Sequence, residues 1–133
     1  MSTLRAMPLL EVTDVTRAAA FYGRLGFANH GAWDDGGVAQ FTIMQRGDVT
    51  LGLTLADTPA RNTWWATYIY VSDVAALHAE FTALGIEVTP INHPDHYACD
   101  DFDVVDPDGH RIAFGQARAP KPGPGLGDDR GRG

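Results

Sequence analysis

The sequence predicts an α+β fold: two tandem βαβββ modules, about residues 5–55 and 64–117, forming a curved sheet around a cleft in one domain of residues 1–118. Two internal matches lead there. "VTDVTRAAAFYGRLGF" (12–27) recurs as "VSDVAALHAEFTALGI" (71–86), where Val12, Asp14, Val15, Ala20, Leu25 and Gly26 return as Val71, Asp73, Val74, Ala79, Leu84 and Gly85, each 59 residues on. "FTIMQRGDVTLGL" (41–53) returns as "FDVVDPDGHRIAF" (102–114), 61 residues on. Self-similarity at a nearly fixed offset marks a duplicated unit.

Each element has a local cause. Asp14 and Asp73 suit helix N-caps, because a carboxylate accepts from the free N–H groups of a first turn. Behind them, Val15, Ala18, Tyr22 and Leu25 form one helical stripe, and Val74, Leu77, Phe81 and Leu84 form another. Gly26 and Gly85 fit the left-handed position that closes a helix. The second half of each module reads as strand, turn, strand. "PDG" (107–109) supplies a tight turn, and "RGD" (46–48) reads as the matching turn rather than an adhesion motif. "ADTPARNT" (56–63) reads as the linker. The tail "APKPGPGLGDDRGRG" (119–133) is rich in Gly and Pro, has little to bury and is expected to be disordered.

The totals narrow the function. The net charge of −7 opposes a nucleic-acid partner, which needs a basic footprint, and is compatible with a cationic ligand. No apolar run approaches the roughly 20 residues of a membrane span, and the N-terminus lacks the pattern of a secretory signal. Cys99 is the single cysteine, so no internal disulfide forms. A cytoplasmic location is expected.

Period-2 alternation divides the strands into two faces. Leu10, Val12, Leu51, Leu53, Ile69, Val104, Ile112 and Phe114 make an aliphatic face suited to packing under helices. The other face carries Met7, Leu9, Glu11, Thr42, Met44, Gly52, Tyr68, Tyr70, Asp101, Asp103, Arg111 and Ala113, with Phe41 and Ile43 assigned to the aliphatic side. Exposing Met7, Leu9, Tyr68 and Tyr70 together is costly, since each large apolar side chain is worth roughly 1.5–3 kcal/mol when buried. A half-covered cleft fits this better than a sandwich with the second face left in water, with Gly52, Ala66 and Ala113 giving the cleft volume. Its candidate ligand-binding residues are Glu11, Thr42, Trp64, Tyr68, Tyr70, Asp101, Asp103 and Arg111. Aromatic faces attract cations and carboxylates add charge-assisted hydrogen bonds, so this set suits a planar cation.

"PLLEVTDVTRAAAFYGRLGF" (8–27) and "FDVVDPDGHRIAFG" (102–115) resemble the vicinal oxygen chelate superfamily, which includes glyoxalase I, extradiol dioxygenases and the fosfomycin- and bleomycin-resistance proteins. The resemblance implies two βαβββ modules around a shared cleft. Its enzymes hold a metal through four cleft positions that fall here at Met7, Gly52, Ala66 and Ala113, and none of these is an ordinary ligand for a metal that wants imidazole or carboxylate. No metal, cofactor or catalytic residue is therefore expected. The bleomycin-resistance group is the branch the sequence is most similar to, through "AMPLLEVTDV", "RGDVTLGL" and "NTWWATYIYV". That likeness implies a homodimer that sequesters an antibiotic-like molecule between subunits. Where that group tends to carry a Trp-Gly pair, this chain has Ala98 and Cys99, so the implied ligand is a flat or cationic compound rather than bleomycin by name.

Other readings stay open. Glu11 or Asp103 as a general base would make a lyase or isomerase of the same superfamily. "HPDHYACDD" (93–101) offers His93, Asp95, His96, Asp100 and Asp101 to a metal outside the family pattern. The cleft could also be vestigial in an interaction domain. His110 falls in the turn and His78 on a helix surface, both expected to face solvent.

Overall fold

The computed structural model describes residues 1–119; the expectation for the tail, apart from Ala119, lies outside the described residues. The element order is β1 (Leu9–Val12), α1 (Val15–Arg24), β2 (Ala28–Asp35), β3 (Val38–Arg46), β4 (Val49–Leu55), β5 (Trp65–Tyr70), α2 (Val74–Ala83), β6 (Cys99–Val105) and β7 (Arg111–Ala117). The α+β duplication read from the sequence is present. Module one is a four-stranded sheet in the order β1-β4-β3-β2, and module two is a three-stranded sheet in the order β5-β7-β6. In both, the first strand runs parallel to the last.

Module two departs from the βαβββ pattern at one place. The segment after α2 reaches β6 through an isolated bridge, Asn92 to Asp101, a bond from Thr89 N–H to the Asp103 carbonyl at 3.1 Å and one from Asp103 N–H to Thr89 Oγ1 at 2.8 Å. Pro90 and Pro94 flank the bridge. Proline has no N–H to donate, so a regular ladder is interrupted here.

The helices form for the reasons their sequences give. The Asp14 carboxylate accepts from Arg17 N–H at 3.0 Å and the Asp73 carboxylate from Ala76 N–H at 3.0 Å. Gly26 and Gly85 close the helices at φ 91° and 75°. Val15, Ala18, Tyr22 and Leu25 are buried, as are Val74, Leu77 and Phe81, whereas Leu84 stands exposed. These stripes and the aliphatic strand faces make one continuous core across both modules, in which Phe81, Phe102 and Phe114 pack ring against ring.

The modules are locked by the turn of module two. Tyr22, fully buried on α1, donates its hydroxyl to Asp106 Oδ2 at 2.8 Å. The other carboxylate oxygen accepts from Asp108 N–H at 2.9 Å and His110 N–H at 2.8 Å. Thr13 Oγ1 donates to Asp108 at 2.8 Å. His110 is buried, contrary to the expectation for a turn histidine, because its Nε2–H donates to the Glu11 carbonyl of β1 at 2.6 Å. His78 is half-buried rather than on the surface, with its ring edge-on to Phe102 and its Nε2 bonded to the Thr89 carbonyl at 2.9 Å. The matching turn of module one seals less. A groove of ≈ 560 Å³ remains between Arg46–Val49 and the β5–α2 corner, floored by Phe27, Ile69 and Phe114.

Burial and the negative Asp106 push the Tyr22 hydroxyl well above its ordinary value of 10.0. A raised phenol stabilises the fold fully below the unfolded value and loses that contribution as pH rises above it. Tyr22→Phe leaves Asp106 short of a donor and is expected to lower stability by about 1–3 kcal/mol, read by urea denaturation. The gap between the two proteins should narrow above pH 10.

Candidate functional site

Each sheet has one face turned away from the helices, and strand register fixes which residues share it, because directly paired residues project to the same side. In module two the rows are Tyr68, Ala113 and Asp103, then Tyr70, Gly115 and Asp101. In module one they are Leu9, Gly52 and Ile43, then Glu11, Thr54, Phe41 and Trp33.

The register corrects the reading of β3. Thr42 pairs with Leu53 and Met44 with Leu51, so both lie under α1, each about 1% exposed. The Thr42 hydroxyl is engaged with Asn29 Oδ1 at 2.6 Å and the Gly31 carbonyl at 2.9 Å. Thr42 therefore leaves the candidate set, and Phe41 and Ile43 take the open face. Both faces of this strand carry apolar residues, so alternation alone did not fix its phase.

A bulge in β5 makes a second change. Trp65 pairs with Arg111 and Thr67 with Ile112, which leaves Ala66 as an extra residue packed against the core. The bulge swings Trp65 onto the open face, where its ring meets Tyr68 edge-on at 4.9 Å. Tyr68 and Tyr70 follow at 5.1 Å. Trp64 stands exposed at the rim, with the Arg111 guanidinium 5.6 Å from its ring centroid. The result is an aromatic shelf along one strand.

Two carboxylates form the base of the shelf. Asp103 accepts from Arg111 Nη1 at 2.6 Å and from the Trp65 indole N–H at 3.0 Å. Asp101 is 3% exposed, and its Oδ2 accepts two phenols, Tyr68 and Tyr97, each at 2.8 Å. Burial, then the bond to Asp101, raises the Tyr68 hydroxyl far above its usual range; the same causes push Tyr97 up to about 12. At the Trp65 end of the shelf lies a depression of ≈ 410 Å³ bordered by Trp64, Trp65, Asn92, Tyr97, Asp101 and Asp103.

The structure thus brings together Trp64, Tyr68, Tyr70, Asp101, Asp103 and Arg111. Glu11 lies on the other sheet, where its carboxylate accepts from Ala60 N–H of the linker at 2.8 Å. Sequence reasoning missed Trp65 and Tyr97. The first is displaced by a bulge. The second lies outside any strand, in a segment pinned by Arg118, which donates to the carbonyls of Pro94 and Tyr97 at 2.7 and 2.8 Å.

The small residues do not leave the room expected of them. Leu9 and Phe41 lie against the open side of Gly52, so that a Cβ there would come within 2.6 Å of Leu9 and 3.1 Å of Phe41. Tyr68 lies over Gly115, where a Cβ would meet its phenol ring. The four positions that the resemblance gives for a metal fit none here: Met7, Gly52, Ala66 and Ala113 offer no imidazole or carboxylate, and the bulge turns Ala66 to the core. In "HPDHYACDD", His93 Nδ1 is 3.0 Å from Asp100 Oδ1, and Asp100 is held below the usual carboxylate range by Arg118 and then by His93. No group of three or more His, Cys, Asp or Glu among the described residues is placed to hold a metal.

The chain belongs to a superfamily whose model covers most of its length. The model of the glyoxalase/bleomycin resistance protein/dioxygenase superfamily matches residues 6–114. A bleomycin-binding protein solved in complex with bleomycin aligns over 87% of this chain and 100% of its own, at 24% identity and a TM-score of 0.71. A bleomycin resistance determinant encoded on the transposon Tn5 aligns over 88% and 100%, at 25% identity and 0.72. A glyoxalase-related enzyme from Clostridium phytofermentans aligns over 88% and 97%, at 15% identity and 0.74. No curated protein sequence matches the chain. Binding proteins and enzymes share this fold at similar TM-scores, so the fold alone does not assign the function.

Asp101→Asn keeps the shape and removes the charge. It is expected to bring Tyr97 down from about 12 towards 10, without reaching it because burial persists; phenolate absorbance against pH measures this.

Proposed function

We propose that this chain is a metal-free, cytoplasmic binding protein that sequesters a planar, cationic, antibiotic-like molecule, without turnover, in a cleft completed by a second copy. The observation that carries the reading is the aromatic shelf of Trp65, Tyr68 and Tyr70 above Asp101 and Asp103. Flat rings stack on such a shelf, and Asp101, which no cation pairs among the described residues, favours positive charge. The likeness to bleomycin-binding structures supports the choice of ligand class. No helix among the described residues is long and apolar enough to cross a membrane.

Two further features support binding over chemistry. Glu11 and Asp103, the carboxylates a lyase or isomerase would use as a base, are both engaged, one with backbone N–H and the other with a guanidinium and an indole. The four positions that hold metal in related enzymes carry no donor suited to one.

The second copy is supported by module one. Its open face exposes Leu9, Trp33 and Met7, with Val38 at the start of β3. Apolar side chains grouped in this way mark an interaction surface. A partner's module one set against module two would cover both the exposed residues and the shelf.

Titration with bleomycin as first probe, followed by Trp fluorescence, is expected to show saturable binding at one ligand per chain and recovery of unaltered ligand. Trp65→Ala should weaken it by about 3–10-fold, the worth of one aromatic contact. Sedimentation should give twice the 14.3 kDa chain mass. A bound compound that is chemically converted, or a monomer at saturating ligand, would overturn the reading.

A further inference from the structure

Asp101 differs from the other carboxylates of its sheet. Asp103 is neutralised by Arg111 at 2.6 Å and Asp100 by Arg118 at 2.6 Å. Asp101 is buried and no cation pairs with it among the described residues. Its side-chain donors are two neutral phenols crowded on one oxygen. A buried carboxylate without a counter-charge is costly, and a cationic N–H donor bonds a carboxylate roughly twice as strongly as a neutral one.

The two phenols are not equivalent. Tyr68 is seated: its ring fills the recess over Gly115 and is flanked by Trp65 and Tyr70. Moving it would uncover that recess and break up the shelf. Tyr97 sits on the irregular segment between Pro94 and Cys99. Arg118 holds the backbone there, while the side chain is half-buried in the wall of the depression, with its ring against His96 and Trp65 at 4.7 and 6.1 Å. Its hydroxyl can leave Asp101 and be solvated without disturbing either sheet.

We infer that Asp101 anchors a cationic, N–H-donating head group of the amidinium or guanidinium class, which displaces the Tyr97 hydroxyl from Asp101 and leaves the Tyr68 hydroxyl in place. This rests on reading the shelf as the binding face and names the chemistry it selects. It has an unusual consequence: the two tyrosines that bond the same oxygen oppose each other in binding. Tyr68 orients the carboxylate for the ligand, and Tyr97 competes with the ligand for it.

The test uses the full-length chain, with benzamidine as the cationic probe and benzamide as its neutral isostere, each titrated by calorimetry and by Trp fluorescence. Benzamidine is expected to bind at least tenfold tighter than benzamide. Asp101→Asn should remove that preference, Tyr68→Phe should weaken benzamidine several-fold, and Tyr97→Phe should tighten it several-fold. Tyr97→Phe is a conservative change on an irregular segment, so it keeps the test informative should Asp101→Asn fail to fold. Equal binding of the two probes would overturn the anchor while leaving the shelf as a binding face. Weaker benzamidine binding by Tyr97→Phe would overturn the displacement. Binding of neither probe would overturn the anchor, and if bleomycin also failed to bind, the binding reading would fall with it.

Discussion

The hydrogen bond from Tyr22 to Asp106 joins the two halves of the molecule. Each helix stripe packs on the strands of its own module, and one core runs through both where the turn of module two docks on the β1–α1 corner. Asp106 is what lets a turn be buried at all. It satisfies two backbone N–H groups of its own turn and still has an oxygen for the phenol of the other module. Backbone donors removed from water need partners, and here one side chain supplies them while fixing how the two sheets meet.

The duplication is therefore a symmetric plan carried out asymmetrically. One turn seals its corner with an acid, a phenol and an imidazole; the other leaves a groove beside Arg46. One open face is apolar around Gly52, with Leu9, Ile43 and Phe41, and the other is aromatic and acidic. Two copies of one ancestral unit have come to supply different surfaces. Division of labour of this kind keeps the frame and places the difference between the modules in which side chains face out.

Much of this was legible in the sequence. The offset repeats gave both helices, their aspartate caps and their glycine stops, because capping and left-handed closure depend on local residues. Alternation placed Leu51, Leu53, Ile112 and Phe114 correctly, since their opposite faces are polar or small. It failed for β3, where "FTIMQ" is apolar on both sides and only pairing with β4 sets the phase. It failed again at Ala66, because a bulge inserts a residue that no period reveals. Tyr97 carried no signal, since its position depends on where Arg118 ties the backbone. The small residues were recognised as important, but the side chains that fill the space over them became visible only in three dimensions.

The prolines near the bridge at Asn92 bear on the fate of the sheet edges. A strand with free N–H and C=O groups along one side is a template for pairing with any other chain. In module two that edge is interrupted by Pro90 and Pro94, which cannot extend a ladder. In module one the edge opposite β1 is β2, eight residues exposed throughout, protected by two irregularities in its pairing and by Asp34 and Asp35 at its end. At these two edges the molecule thus offers little backbone for strand-to-strand growth, while apolar side chains stay on an open face.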